Sequence, residues 1–155
     1  MDFTGKVALI TGGGGGIGRA TALGFALRGA KVMVVDADAA QGQGTVDVVS
    51  QRGGTIAFVR ADVTQSGSVQ DYVQKTLTAY GRIDCFFNNA GIEGMVAPTH
   101  EYDEAMFDKV IAVNLKGVFL GMRHVIPVML GQGGGAICNT ASVAGLFGGA
   151  GMSAY

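Results

Sequence analysis

Residues 6–18 read KVALITGGGGGIG, a short apolar run that passes directly into five consecutive glycines. The run from Lys6 to Thr11 is typical of a strand covered on both faces, as strands of parallel sheets are. From Ile17 to Arg28, apolar side chains recur at helical spacing and predict a helix that stops at Gly29. A strand, a glycine-rich turn and a helix in this order predict the first unit of an α/β fold.

The alternation of strand and helix patterns continues along the whole chain. Further strands are predicted at Lys31–Asp36, Thr55–Arg60, Ile83–Asn88 and Ala136–Thr140. Helices are predicted at Ala39–Arg52, Ser66–Tyr80 and Tyr102–Met129, the last one bent near its end by Pro127. The pattern predicts a single domain over residues 1–155. The predicted fold of this domain is a Rossmann-like, doubly wound parallel sheet with strand order 3-2-1-4-5.

Composition argues against several classes of protein. The net charge is −1 and the 11 Lys and Arg residues are scattered, which disfavours a nucleic-acid surface. No uninterrupted apolar run reaches the 18 or so residues that span a bilayer, and the N-terminus does not resemble a signal peptide. Cys85 and Cys138 lie in apolar runs and are predicted to be free core thiols in a reducing compartment. We therefore expect a cytoplasmic protein that binds neither nucleic acid nor membrane.

The glycine cluster predicts an anion site. A loop that turns into a helix N-terminus presents free N–H groups and the positive end of the helix dipole, which suits a pyrophosphate. A nucleoside-triphosphate P-loop is excluded, because Arg19 and Ala20 stand where that motif needs Lys and Ser or Thr. A methyltransferase that binds adenosylmethionine through a similar loop stays open on the loop alone.

Asp36 ends the second predicted strand, 24 residues after Gly12. A carboxylate at this place can accept hydrogen bonds from both hydroxyls of an adenosine ribose, and it repels a 2′-phosphate. Positions 13–15 are glycine and position 37 is alanine, so none of them offers a basic group to that phosphate. These residues favour NAD over NADP.

The next two strand ends carry further candidate ligand-binding residues. Asp62 and Val63 follow the third strand, within reach of an adenine ring. Asn88 to Gly91 (NNAG) ends the fourth strand with small residues, against which a ribose or nicotinamide could lie. Because ligands of doubly wound sheets bind outside the carboxyl ends of the strands, these clusters together predict one dinucleotide site.

These motifs in combination closely resemble the short-chain dehydrogenase/reductase family. Its TGxxxGxG is matched by Thr11–Gly18, its acidic NAD discriminator by Asp36, its Asp-Val pair by Asp62-Val63 and its NNAG by Asn88–Gly91. The resemblance implies cofactor binding by Gly12, Gly16, Ile17, Gly18, Asp36, Asp62, Val63, Asn89, Ala90, Gly91 and Tyr155. It implies catalysis by Asn114, Ser142 and Tyr155.

The resemblance also implies a reaction, the transfer of hydride between NAD and an alcohol or ketone. Tyr155 would be the general base, Ser142 would hold the substrate oxygen and Asn114 would support a water-linked proton path. The family pattern places a lysine four positions after the tyrosine, and this sequence ends at Tyr155. We therefore expect the N-terminal part of a longer enzyme, without the family's C-terminal strands and inactive by itself. The alternative is a non-catalytic dinucleotide-binding module.

The helix predicted at Tyr102–Met129 is apolar on more faces than one sheet can cover. In the family this helix packs against a second subunit, so the resemblance implies a homo-oligomer, either a dimer or a tetramer. His100 and His124 fit no arrangement for a metal or a nucleophile, and no metal site is predicted.

Overall fold

The computed structural model describes all residues, Met1–Tyr155, around one five-stranded parallel sheet. The strands are β1 (Val7–Thr11), β2 (Lys31–Asp36), β3 (Thr55–Arg60), β4 (Cys85–Asn88) and β5 (Ala136–Asn139). Their spatial order is β3-β2-β1-β4-β5, which confirms the predicted topology. The order reverses between β1 and β4, so the crevice at their carboxyl ends is the expected ligand position.

Helices connect the strands on both faces of the sheet. They are α1 (Gly16–Ala26), α2 (Ala39–Ser50), α3 (Ser66–Tyr80), α4 (Glu104–Ile111) and α5 (Val118–Gly131). A π-helical segment, Ala112–Gly117, joins α4 to α5, so one helical stretch runs from Glu104 to Gly131 and passes through Pro127. Two short 3-10 turns lie at Thr99–Glu101 and Val143–Gly145.

Three elements have the predicted bounds, namely β2, β3 and α3, and the ends of the others differ by at most two residues, as α1 shows. The predicted helix reached Arg28, whereas α1 ends at Ala26. Gly29 takes a φ of 88°, and its N–H donates to the Ala26 carbonyl at 3.0 Å. The next N–H, of Ala30, donates to the Phe25 carbonyl at 3.2 Å. Residues 27–29 therefore form the turn that closes the helix.

The core is divided by the sheet into two clusters, because successive strand side chains point to opposite faces. On one face, Leu9 of β1 packs in a cluster that reaches α3 and α5 through Tyr72 and Val125. On the other face, Ile10 packs in a cluster that reaches α1 through Ala22 and α2 through Val49. The helices thus cover both faces of the central strands.

β5 is the exception to this burial. It is an edge strand that pairs with β4 alone, and most of its residues are exposed. Cys138 of β5 is exposed, so the prediction of a core thiol is wrong for this residue. Cys85 of β4 is half-buried, and burial raises the pKa of its thiol. Both cysteines are free.

The stretch Glu104–Gly131 is long and apolar enough, by length and composition alone, to cross a membrane. Polar residues interrupt this stretch, so a criterion of uninterrupted apolar runs does not identify it. The core helix of a soluble protein meets the same criteria. Leu120, Val125 and Met129 of this stretch lie in the buried core against the sheet.

Candidate functional site

A cleft of about 920 Å³ lies at the carboxyl ends of β1–β4. All the predicted cofactor residues except Gly18 and Tyr155 line it, namely Gly12, Gly16, Ile17, Asp36, Asp62, Val63, Asn89, Ala90 and Gly91. The four strand-end motifs found in the sequence therefore face one common space, which we call the cofactor cleft.

The glycine loop lies where the ends of β1 and β4 approach each other closely. Gly12 has a φ of 62°, in the left-handed region that favours glycine, and a Cβ there would lie 2.9 Å from Ala90 Cα. A Cβ on Gly18 would lie 2.8 Å from Gly13 Cα. Gly18 thus packs behind the loop against its backbone, and the loop itself faces the cofactor cleft.

The Asp36 carboxylate is held by two backbone N–H groups at the end of β2. Gly14 donates to its Oδ2 at 2.8 Å, and Asp38 donates to its Oδ1 at 3.0 Å. Arg60 of β3 is the register partner of Asp36, and its Nε donates to the Ala37 carbonyl at 3.2 Å. A basic side chain therefore lies near Asp36, although positions 13–15 and 37 carry none.

Thr11 links the end of β1 to the NNAG segment. Its buried hydroxyl accepts hydrogen bonds from the N–H groups of Asn89 at 3.0 Å and Ala90 at 3.1 Å. Thr140, just after β5, donates to Asn89 Oδ1 at 2.9 Å. Asn88 is buried instead and donates to the Val118 carbonyl at 2.9 Å. Asn89, which lines the cleft, is thus fixed between strands, while Asn88 anchors α5.

A second cavity of about 710 Å³ adjoins the cofactor cleft. The three predicted catalytic residues, Asn114, Ser142 and Tyr155, all line it. Both cavities are also lined by Ile17, Asn89, Ala90, Gly91 and Ile92. The structure therefore brings the predicted catalytic residues to one place, beside the NNAG end of the cofactor cleft.

Asn114 lies in the π-helical segment, and both polar ends of its side-chain amide bond to the backbone of one residue. Its Oδ1 accepts from the Ile92 N–H at 2.9 Å, and its Nδ2 donates to the Ile92 carbonyl at 2.8 Å. Such π-helical insertions occur frequently at functional sites. The Asn114 amide holds the loop after β4 in place along the wall of the second cavity.

Ser142 and Tyr155 lie on the segment that follows β5. The Ser142 Oγ caps the 3-10 turn by accepting the Ala144 N–H at 3.2 Å, which leaves its own proton free to donate. The segment before Tyr155 is tied to the loop after β4, since Ala97 donates to the Gly151 carbonyl at 2.9 Å and Thr99 Oγ1 lies 2.8 Å from Ser153 Oγ. These links place the partly exposed Tyr155 ring in the second cavity.

The sequence analysis missed several residues that line the cofactor cleft. They include Gln41 of α2, Thr64 after β3, and Lys109, Ala112 and Val113 on the stretch Glu104–Gly131. Helical periodicity could show that the last three share a helix with Asn114, but not which side of it faces the strand ends. No group of three or more His, Cys, Asp or Glu side chains is arranged to hold a metal ion.

Comparison with known proteins identifies the family of the chain. Residues 6–155 match the family model described as short chain dehydrogenase. The match covers nearly the whole chain, and the chain therefore belongs to the short-chain dehydrogenase family.

Individual relatives are similar over the whole chain. Levodione reductase of Leifsonia aquatica is 45% identical over 99% of this chain and 58% of its own length. Cyclohexanol dehydrogenase of Acinetobacter sp. (strain SE19) is 42% identical over 99% of this chain and 61% of its own length. The structure of a Burkholderia phymatum short chain dehydrogenase/reductase in complex with NAD superposes with a TM-score of 0.96 at 40% identity, over 100% of this chain and 55% of the other. The chain thus spans somewhat over half the length of these relatives.

Proposed function

We propose that this chain forms the cofactor-binding part of an oxidoreductase that transfers hydride between NAD and an alcohol or ketone. The observation that carries the proposal is the pair of adjoining cavities, one lined by the dinucleotide motifs and one by Asn114, Ser142 and Tyr155. The names of the relatives, dehydrogenases and a reductase, support the same reaction class.

The cofactor cleft offers groups suited to each part of a dinucleotide. The glycine loop leaves the N-terminus of α1 open to a pyrophosphate, as anion sites at helix N-termini require. Asp36 would hold the adenosine ribose, and Asp62 with Val63 would border the adenine. Asn89, Ala90 and Gly91 would lie along the nicotinamide half, beside the second cavity. When bound, the nicotinamide ring supplies the hydride acceptor or donor.

Proton transfer would belong to the second cavity. The free hydroxyl of Ser142 would donate a hydrogen bond to the substrate oxygen. Tyr155 would take the alcohol proton, and Asn114 would support a water-linked proton path. Tyrosine in solution has a pKa of about 10, so a base at neutral pH needs a cation beside it. Residues 151–155 offer none. The chain spans somewhat over half the length of its relatives, and we propose that this cation is the lysine that the family pattern places four positions after the tyrosine.

The proposed reaction is tested on the protein expressed from its complete reading frame, which we call the complete protein. It should form NADH from NAD with at least one member of a panel of secondary alcohols. Tyr155→Phe should lower kcat by about 10²–10⁴-fold, the usual contribution of a general base. The control is Tyr80→Phe, because Tyr80 donates to the Val32 carbonyl away from both cavities. A protein that binds NADH but has no activity that Tyr155→Phe removes would instead be a dinucleotide-binding module.

We also propose that NAD is preferred over NADP, because Asp36 would repel a 2′-phosphate. Since Arg60 lies beside Asp36, replacing the carboxylate should expose the phosphate to an existing cation. Asp36→Ala combined with Ala37→Arg should therefore tighten NADPH binding and weaken NADH binding, each by about tenfold. The matched control is Asp47→Ala, which removes an exposed carboxylate of α2 that bonds only Gln43. Tighter binding of NADPH than NADH by the unchanged protein would contradict the preference.

We further propose a cytoplasmic homo-oligomer, a dimer or tetramer, assembled through α5. Three apolar side chains of α5 are exposed to solvent, namely Phe119, Ile126 and Leu130. Exposed apolar side chains on one helix are typical of a protein–protein interface. Analytical ultracentrifugation should show an oligomer of the complete protein. Phe119→Glu with Ile126→Lys should dissociate it, and a monomeric unchanged protein would refute the proposal.

A further inference from the structure

The glycine loop is held from the side opposite the cofactor cleft by two residues that do not line the cleft, Thr45 and Arg19. Thr45 of α2 is fully buried, and its Oγ1 donates to the Gly13 carbonyl at 2.9 Å, with the Gly14 carbonyl at 3.2 Å. Arg19 of α1 donates from Nε to Thr45 Oγ1 at 2.9 Å and from Nη2 to the Gly14 carbonyl. Two successive loop carbonyls thus have partners inside the protein.

These bonds determine where the loop's N–H groups point, because the C=O and N–H of a trans peptide are directed oppositely. The Gly13–Gly14 peptide is held at both ends, by Thr45 at its carbonyl and by Asp36 Oδ2 at its N–H, 2.8 Å away. The Gly14–Gly15 peptide is held at its carbonyl by Arg19, so its N–H is directed away from Arg19. Gly15 lines the cofactor cleft.

A run of five glycines has little conformational preference of its own and loses much entropy when it is ordered. The shape of the loop must therefore come from its partners. Gly13 and Gly14 are buried, so without Thr45 and Arg19 their carbonyls would lack partners, and the loop would relax to find others.

We propose that Thr45 and Arg19 are positioning residues for cofactor binding. Together they turn the Gly15 N–H toward the cleft and, through the shared Gly13–Gly14 peptide, fix the orientation of the Asp36 carboxylate. The inference rests on the proposed function, because it assumes that the cofactor cleft binds a dinucleotide.

The test measures NADH binding by fluorescence and AMP binding by competition, in the complete protein and its variants. AMP probes the adenosine half of the cleft alone. Thr45→Val keeps the side-chain volume but removes the hydroxyl, and Arg19→Met removes the guanidinium. Each should weaken NADH and AMP binding by about tenfold, the usual effect of losing a buried hydrogen bond. With saturating NAD, kcat should stay within about twofold, and Thr45→Ser, which keeps the hydroxyl, should bind within about threefold of the unchanged protein.

Matched controls separate positioning from general stability. Thr76 is an equally buried threonine whose Oγ1 donates to the Tyr72 carbonyl on α3. Arg28 lies just beyond the end of α1 and donates to the Gly24 carbonyl within that helix. Thr76→Val and Arg28→Met should leave both affinities unchanged. If Thr45→Val does not fold, Arg19→Met, at a partly exposed position, carries the test.

Three results would overturn the inference. The first is unchanged NADH and AMP binding in the folded Thr45→Val and Arg19→Met variants. The second is an equal loss of binding in Thr76→Val, which would show a general stability effect. The third is an unchanged protein that binds no NADH, in which case the proposed function fails and the positioning role falls with it.

Discussion

The two strands β2 and β5 differ sharply, although both are short and apolar in sequence. β2 pairs with β1 and β3, and Val32 to Val35 are buried. β5 pairs with β4 alone, and of its residues only Ile137 is partly buried. The apolar character of a strand predicts that it joins a sheet, but its burial depends on the strands beside it and the helices above it.

The same contrast separates the two cavities. The cofactor cleft is formed by β1–β4 and their helices, whose core is well covered. The second cavity is partly formed by the segment after β5, where Val143, Leu146 and Phe147 are largely exposed. Exposed apolar side chains clustered in one segment are typical of an interaction surface.

The largest expected effect is the loss of solubility and activity in the 155-residue chain by itself. We expect most of it to sediment as aggregate and to show no alcohol oxidation with NAD, because β5 is an unprotected sheet edge beside exposed apolar residues. Centrifugation and absorbance at the NADH band measure both properties, with the complete protein as the control. A soluble, monomeric 155-residue chain that oxidises an alcohol would contradict the expectation.

Matched truncations of two isoleucines compare an interior strand, β1, with the edge strand β5. Ile10 of β1 is fully buried next to β2, whereas Ile137 of β5 is only partly buried. In the soluble fraction of the 155-residue chain, Ile10→Ala should lower the free energy of unfolding by about 3 kcal/mol and Ile137→Ala by about 1 kcal/mol. Urea unfolding measures both values. Equal losses would show that the edge strand is packed as well as the interior ones.

The amino acid sequence was sufficient for the order of the strands, because buried strands and helices alternate and the crossovers are right-handed. It also showed which motifs stand at the strand ends. It could not show that Arg60 lies beside Asp36, because this depends on the register of β2 against β3. The π-helical segment at Asn114 was equally hidden, since AVNLKG follows the periodicity of an ordinary helix. From the sequence, Arg19 served only to exclude a P-loop. Its bonds to Thr45 and to the Gly14 carbonyl depend on the packing of α2 beside α1, which the sequence does not show.

The stability of the amino end of the sheet, opposite the cleft, depends on the buried carboxylate of Asp84. Burial alone would raise the pKa of Asp84, but the Arg82 guanidinium, the Val7 N–H and Lys6 hold that pKa below its usual value. Arg82 donates to both carboxylate oxygens, at 2.8 and 2.7 Å. Asp84→Asn should therefore lower the free energy of unfolding of the complete protein by about 2–3 kcal/mol at neutral pH.

The pH dependence of this loss has a definite sign. A carboxylate whose pKa is lowered in the folded state contributes stability above its unfolded pKa of about 3.9, and this contribution is lost as the pH falls through the folded pKa. The difference between the unchanged protein and Asp84→Asn should thus be constant above about pH 5 and shrink below about pH 4. Asp71→Asn, which breaks an exposed pair with Lys75, should cost under about 0.5 kcal/mol. A difference that grows on acidification would contradict this account.

A smaller effect than that of Asp84→Asn, and of opposite sign, is expected in the core between the sheet and α3. Tyr72 of α3 is fully buried in the core cluster, and its hydroxyl has no hydrogen-bond partner, so burial raises the pKa of this phenol well above its usual value. A buried polar group without a partner costs more than it contributes, whereas the ring packs well without it. Tyr72→Phe should therefore raise the free energy of unfolding by about 0.5–1 kcal/mol. Tyr80→Phe is the control, because Tyr80 donates to the Val32 carbonyl at 3.2 Å and its loss should lower stability by a similar amount. Urea unfolding of the two variants in the complete protein decides the matter, and a Tyr72→Phe variant that loses as much stability as Tyr80→Phe would show that the Tyr72 hydroxyl has a partner there.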